Sequence, residues 1–178
     1  FMLGGILHCI ITSRAPYEGS SIESVLKKAH RAATKCYEEE VSSELVAIAR
    51  RAMARKPSER FPSVAAFRKA LTGFLSHESS RRLARRAQQR LDELKEILAE
   101  EEHHPLNGEI YRKLGEARFG FWEALDSWEG NKKAQEGLQE LLEVGVEWGI
   151  SRGSPEAAAL FLNEFPEDRP DLRRRVED

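Results

Sequence analysis

Few side chains in this sequence combine the types and spacing that chemistry needs. His103 and His104 follow Glu100, Glu101 and Glu102, a composition rich in possible ligands for a divalent metal. Adjacent histidines cannot share one face of a helix, however, and no third ligand follows at a usable spacing, so no metal site is expected there. The stretch from Gly115 to Gly120 holds no Lys-Ser/Thr pair and follows no strand, which excludes a phosphate-binding loop. No nucleophile elbow and no Ser/His/Asp cluster occurs. Cys9 and Cys36 make neither a disulfide framework nor a zinc spacing, and such cysteine usage suits a reducing, cytoplasmic setting. Trp122, Trp128 and Trp148, with Tyr111 and Phe119, read as core or helix-contact residues rather than as a ligand cage. The chain itself is therefore expected to hold no catalytic, cofactor-binding or metal-binding residue.

The elements that would position any functional surface are helical. The 178 residues are 40% hydrophobic and 33% charged, with only 12 Gly and 7 Pro. That is room for one ordinary domain or two small ones, and it excludes collagen-like or disordered chains. A formal net charge of −2, from 28 Lys and Arg against 30 Asp and Glu, gives no global field for nucleic acid. The longest apolar run, Phe1 to Ile11, is interrupted by His8 and falls short of the ~18–20 residues of a membrane span. It also lacks the basic flank of a signal peptide. No period-2 stretch of useful length appears, so the fold class is all-α. Three regions differ in pattern: 1–76, short apolar segments between Pro and Gly; 77–104, one long charged helix; and 105–178, two or three amphipathic helices.

In the first region Leu3, Ile6, Leu7, Ile10 and Ile11 leave almost no polar face, so this helix is expected inside a larger core. Pro16 ends it. Ser20 with Glu23 forms a capping-box pattern before a stripe of Ile22, Val25, Leu26 and Ala29. Ser42 or Ser43 is placed to cap a third helix with Leu45, Ile48, Ala49, Ala52 and Met53 inward, ended by Pro57. Pro62 and Ser63 open a fourth, with Val64, Phe67, Leu71 and Phe74 inward.

The runs FMLGGILHCIITSRAPYEG and SSELVAIARRAMARKPSERFPSVAAFRKAL resemble helices F to I of the C-lobe of bacterial, eukaryotic-like serine/threonine protein kinases. In that family a Leu-Gly central helix leads into a Gly-Arg-X-Pro-Phe/Tyr turn. A later Leu-rich helix ends in Pro-X-X-Arg-Phe/Tyr before a Ser/Thr-capped helix. The resemblance covers roughly residues 1–75. It implies that Ile6 and Ile10 anchor a hydrophobic spine and that Arg60 is the buried arginine pairing with the glutamate that ends the activation segment. Losing the carboxylate partner of a buried guanidinium costs roughly 3–5 kcal/mol.

The glycine-rich loop, the phosphate-pairing Lys, the catalytic-loop Asp and Asn and the metal-binding Asp have no counterpart here. His8 and Cys9 stand where the family commonly has Tyr and Glu, and Ser13 stands where its turn has Gly. Without those parts Mg·ATP cannot be held. A chain opening on Phe1 inside an apolar stretch reads as cut from a longer one. The expectation is thus the helical C-terminal half of a kinase C-lobe. ATP and Mg would belong to the parent enzyme, and the kinase's N-terminal part would be the first partner. Tyr17 to His30 is the expected docking surface for substrates or partners.

From Ser80 onward Ala84, Ala87, Leu91, Leu94 and Leu98 form a seam of about two heptads. Arg81, Arg82, Arg85, Arg86 and Arg90 precede Glu96, Glu100, Glu101 and Glu102, an order that opposes the helix macrodipole. Either this helix continues the one before it, or an antiparallel partner sets Glu against Arg. The second reading implies self-association or docking on the C-terminal helices. No aromatic interleaves the arginines, so nucleic acid is not expected.

Farther on, Ala117, Phe121, Ala124 and Leu125, with Asn131 after them, resemble the second helix of a tetratricopeptide repeat. The resemblance implies close helix pairing and protein partners bound through residues 106–166. Glu129 replaces the usual closing Pro, and Pro105 falls where the repeat expects Gly. A second unit would pair Ala134–Trp148 with Pro155–Phe165 across a Gly149–Ser154 turn, Pro166 stopping the helix. The tail RPDLRRRVED reads as frayed and solvated. The competing class is a non-catalytic all-helical adaptor that never had a kinase lobe.

Overall fold

The computed structural model describes residues 1–31, 37, 38, 41–99 and 107–177. Among them are eight α-helices and no strand: α1 (Met2–Thr12), α2 (Ile22–Arg31), α3 (Ser43–Ala52), α4 (Val64–Ala99), α5 (Asn107–Ser127), α6 (Lys132–Ser151), α7 (Pro155–Leu162) and α8 (Pro170–Glu177). The chain divides into two compact units, Phe1–Leu75 and Ser76–Asp178, and the boundary falls within α4. The calls that rest on Cys36, Glu100, Glu101, Glu102, His103, His104 and Pro105 lie outside the described residues.

In the first unit α1 packs on α3. Gly4 makes the approach possible, because a Cβ there would come within 2.7 Å of the Ala52 Cβ and 2.8 Å of the Met53 Cγ. The α3 stripe turns inward as its spacing demands: Ile48, Ala49, Ala52 and Met53 are buried, with Leu7 and Phe67 beside them. α1 ends at Ser13, whose φ of 54° is left-handed and whose amide donates to the Cys9 carbonyl. Ser63 caps α4, its Oγ accepting from the Ala66 amide at 3.1 Å.

Several expectations for this unit are corrected. The α2 cap is Ser21 rather than Ser20, its Oγ accepting from the Ser24 amide. No residue of α2 is buried, and Ile22 and Leu26 stand in solvent, because no described element covers their face. Val64 is exposed as well, since it lies in the first turn of α4, outside the Phe67 face. The long helix starts at Val64 and not near His77, so the arginines from Arg81 onward lie in a helix interior. The macrodipole conflict disappears with the missing terminus.

The second unit is read from its cross-contacts. Ser80 meets Ala124, Arg90 meets the Glu116 carbonyl and Glu93 meets Lys113, so α4 and α5 run antiparallel. Tyr111 packs edge-on to Trp148 while Phe121 fills the space at Gly137, so α5 and α6 are antiparallel too. Phe121 lies against Gly137, Phe161 against Gly145 and Ala158 against Gly149; each glycine is a notch for the facing helix. The heptad seam is buried at Ala84, Ala87, Leu91 and Leu94, with Leu98 half-buried. The seam packs in one core with apolar residues of α5 and α6, among them Leu114, Phe121 and Leu141.

Other readings change. Gly149 lies inside α6, and the turn comes after Ser151, with Gly153 at a φ of 62°. Tyr111, Phe119 and Trp122 are exposed rather than core. The tail is a docked helix: Leu172 of α8 is buried in the core of this unit.

A polar joint holds three helices of this unit. Asn131 caps α6, its Oδ1 accepting from the Ala134 amide. Its Nδ2 donates to Ser80 Oγ at 2.8 Å, and Ser80 Oγ donates to the Ala124 carbonyl at 2.6 Å. Both side chains are buried. Asn131→Ala is expected to cost about 1–3 kcal/mol through the lost cap and the stranded hydroxyl. In a Ser80→Ala background the loss shrinks, because the shared bond is already gone. Urea denaturation of the two single variants and the double variant checks this, and strict additivity would contradict the joint.

Candidate functional site

Unit 1 presents an apolar surface with the Arg60 cation in the wall of its cleft. Helix α1 buries only Gly4, Leu7 and His8. Its remaining face is open: Met2 is 82% exposed, Ile6 55% and Ile10 74%. Beside it lies a cleft of about 370 Å³ between Phe1, Leu3 and Gly4 on one side and Ala52, Phe61 and Phe67 on the other. Arg60 lies on its wall. The Arg60 Nε donates to the Ala54 carbonyl at 2.7 Å, Nη2 donates to the Arg55 carbonyl at 3.1 Å, and the guanidinium sits 4.7 Å from the Phe1 ring centroid. Two carbonyls fix its direction while part of its donor set remains for another acceptor. Phe1 also stacks on Tyr17, whose buried hydroxyl has no hydrogen-bond partner among the described residues. Burial pushes the Tyr17 phenol up, partly offset by the Arg60 charge.

On the inner side of α1 His8 is buried and shares a 2.9 Å hydrogen bond with the Tyr37 hydroxyl. Desolvation holds its imidazole below the ordinary histidine range. The neutral ring therefore serves as a core polar contact, not as an exposed base. Cys9 is exposed and free. Among the described residues no group of three His, Cys, Asp or Glu is placed to hold a metal. No helix there is long and apolar enough to cross a membrane.

Charge separates the units. Residues 1–75 hold 12 Lys and Arg against 7 Asp and Glu, a net of +5, whereas residues 76–178 hold 16 against 23, a net of −7. The apolar face of α1 thus belongs to a basic unit, with Arg51 over Phe61 and Arg60 over Phe1.

The residues singled out from the sequence are not gathered in one place. Ile6 and Ile10 project from α1 into solvent, and Arg60 stands at the cleft. In unit 2, Ala117, Phe121 and Ala124 are fully buried along α5, with Leu125 half-buried at their edge. They are packing residues of the helix pair. What the sequence did not indicate is a second groove, of about 820 Å³, between the end of α4, the acidic face of α6 and α8. Lys95 pairs with Glu140 across it. Arg169 bonds Glu143 at 2.7 Å, and Arg175 bonds Glu147 at 2.7 Å. The Lys95 hydrogen bond holds the Glu140 carboxyl below the usual range, and Arg169 does the same to Asp171. Pairs on such partly exposed side chains add little to stability, so they define orientation more than strength.

Comparison of the chain with protein-family models, curated proteins and solved structures gives no match.

Proposed function

We propose that the chain is a non-catalytic, protein-binding part of a larger signalling protein, in which the basic, apolar face of unit 1 docks on another polypeptide segment. The observation that carries this reading is the open face of α1, with Met2, Ile6 and Ile10 more than half exposed, next to a cleft lined by Leu3 and Gly4 of the same helix and by an oriented arginine. Monomeric soluble proteins rarely leave a contiguous apolar patch of this kind uncovered.

The sequence resemblance specifies the larger protein as a serine/threonine kinase whose C-lobe includes residues 1–75. Two features support it. Ser13 closes α1 at a left-handed φ, the conformation that explains a glycine at that point in the kinase turn. Arg60 is held by its own loop with its charge at the cleft, where a carboxylate from the covering segment would complete it. In that parent, ATP and Mg would be bound by segments outside this chain, and transfer of the γ-phosphate to Ser or Thr would take place there. The buried helix pairs of unit 2 equally suit an all-helical adaptor with repeat-like packing, the reading favoured by Ala117, Phe121 and Ala124.

Two measurements test the proposal. Ile6→Glu with Ile10→Glu is expected to leave helix content and melting unchanged, because both side chains already face water, and to reduce binding of an apolar fluorescent dye several-fold. Unchanged dye binding would contradict an open α1 face. The residues encoded before Phe1 decide between the two parents: a catalytic-loop Asp and an Ala-Pro-Glu-type segment are expected, and a stretch with neither identifies the adaptor.

A further inference from the structure

The groove of unit 2 leads beyond that reading. Glu140, Glu143 and Glu147 are spaced by three and four residues and share one side of α6. With α8 and the Arg169 that precedes it set aside, the described groove walls place these three carboxylates against Lys95, above an apolar floor that includes Leu98, Val144 and Trp148. The segment lying there is the complement. Arg169 and Arg175 reach Glu143 and Glu147, and Leu172 points into the core with Val176 half-buried one turn on. We propose that this groove is a docking site for a basic amphipathic helix of another protein, and that α8 is the intramolecular occupant such a helix displaces.

The occupant defines the class of ligand: a short helix with two apolar residues four apart and arginines flanking them. Its own hold is thin. α8 has 8 residues, well below the length at which a helix is stable by itself, and Leu172 is its one buried residue. Segments with so few buried contacts open first under native conditions. α8 also leaves part of the groove open: about 820 Å³ remains with α8 in place, and Trp148, a lining residue only 5% exposed, has an indole N–H with no acceptor among the described residues. A longer helix with the same pattern gains contacts that α8 does not make, and its charge matches walls that are net acidic.

The test uses the full chain and a fluorescent peptide of residues 166–178 as the probe helix. Binding is followed by anisotropy at about 100 mM salt, where exposed charges still attract over ~10 Å. Leu172→Asp, which releases α8, is expected to tighten peptide binding roughly tenfold or more over the unaltered chain, because the competent fraction is no longer held by the tail. Adding Glu143→Lys and Glu147→Lys to that variant is expected to reverse the gain, and a peptide of the same composition in scrambled order is expected to bind at least about tenfold more weakly. Should Leu172→Asp lose more helix by circular dichroism than the 8 residues of α8, Arg169→Glu with Arg175→Glu sets like charges against Glu143 and Glu147 and weakens α8 docking while Leu172 stays in place. Equal affinity for released and unaltered chains, or binding indifferent to the glutamates, overturns the proposal. A dimer of the unaltered chain in sedimentation that Arg169→Glu with Arg175→Glu abolishes would identify a second copy's α8 as the occupant and overturn it equally.

Discussion

Phe121→Ala is expected to remove about 3–5 kcal/mol from the stability of unit 2, the range for emptying a fully buried aromatic site. The side chain is 0% exposed and sits between helices rather than within one. Its ring occupies the space over Gly137, where a Cβ would come within 2.5 Å of Phe121 Cζ. The same residue belongs to the core that joins the α4 seam, through Ala87 and Leu91, to Leu141 and Leu142 of α6. Collapse around the void is limited, because the neighbouring positions on α5, Ala117 and Ala124, are already small and completely buried. Urea denaturation followed by helical circular dichroism measures the loss as a shift in midpoint at constant slope. Leu125→Ala is the comparison: half-buried at the edge of the same core, it is expected to cost clearly less. A loss below about 1 kcal/mol for Phe121→Ala would mean that the ring does not bridge α5 and α6.

The parts of this fold that were legible in the sequence are those in which one periodicity decides the outcome. Ala84, Ala87, Leu91 and Leu94 recur at three and four, and a helix with that spacing has only one face to bury; all four are buried. Ser63 and Pro155 punctuate helices by chemistry that acts within a turn, and both stand at helix starts, Ser63 as a cap and Pro155 at the first position.

Legibility failed where the answer depended on what lies opposite. Ile22 and Leu26 have the spacing of an inward stripe, yet a stripe states which face is apolar and not whether this chain covers it. The same holds for Ile6 and Ile10 on α1. The C-terminal tail contains only Leu172 and Val176 among its charges, too few for a periodic signal, and its docking depends on Glu143 and Glu147 about thirty residues away. Ser80 is an unremarked serine in a charged run until Asn131 and the Ala124 carbonyl meet it. Of the candidate sites, Arg60 was singled out only through the family resemblance, and the groove along α6 was not legible, because its walls come from three separated segments.

Glycine contacts give the sharpest division between local preference and packing. Within a helix, Gly→Ala ordinarily gains about 0.5–1 kcal/mol, because alanine loses less backbone freedom on folding. Gly115, in the middle of α5, has nothing within 4 Å of a would-be Cβ, and Gly115→Ala is expected to show that gain. Gly149, in α6, is the opposite case. A Cβ there would lie 2.6 Å from the Ala158 amide nitrogen and 2.8 Å from its Cα, which are backbone atoms of α7 and cannot rotate away. Either the first turns of α7 move off α6 or the α6 helix bends. Such overpacking costs about 1–3 kcal/mol and exceeds the propensity gain. Gly149→Ala is therefore expected to be destabilising, and Gly149→Val more so, since the branched side chain drives farther into the same backbone. Thermal melts of Gly115→Ala and Gly149→Ala should shift in opposite directions. If both rise, the α6 and α7 backbones are not in contact at Ala158, and helix propensity alone governs the two sites.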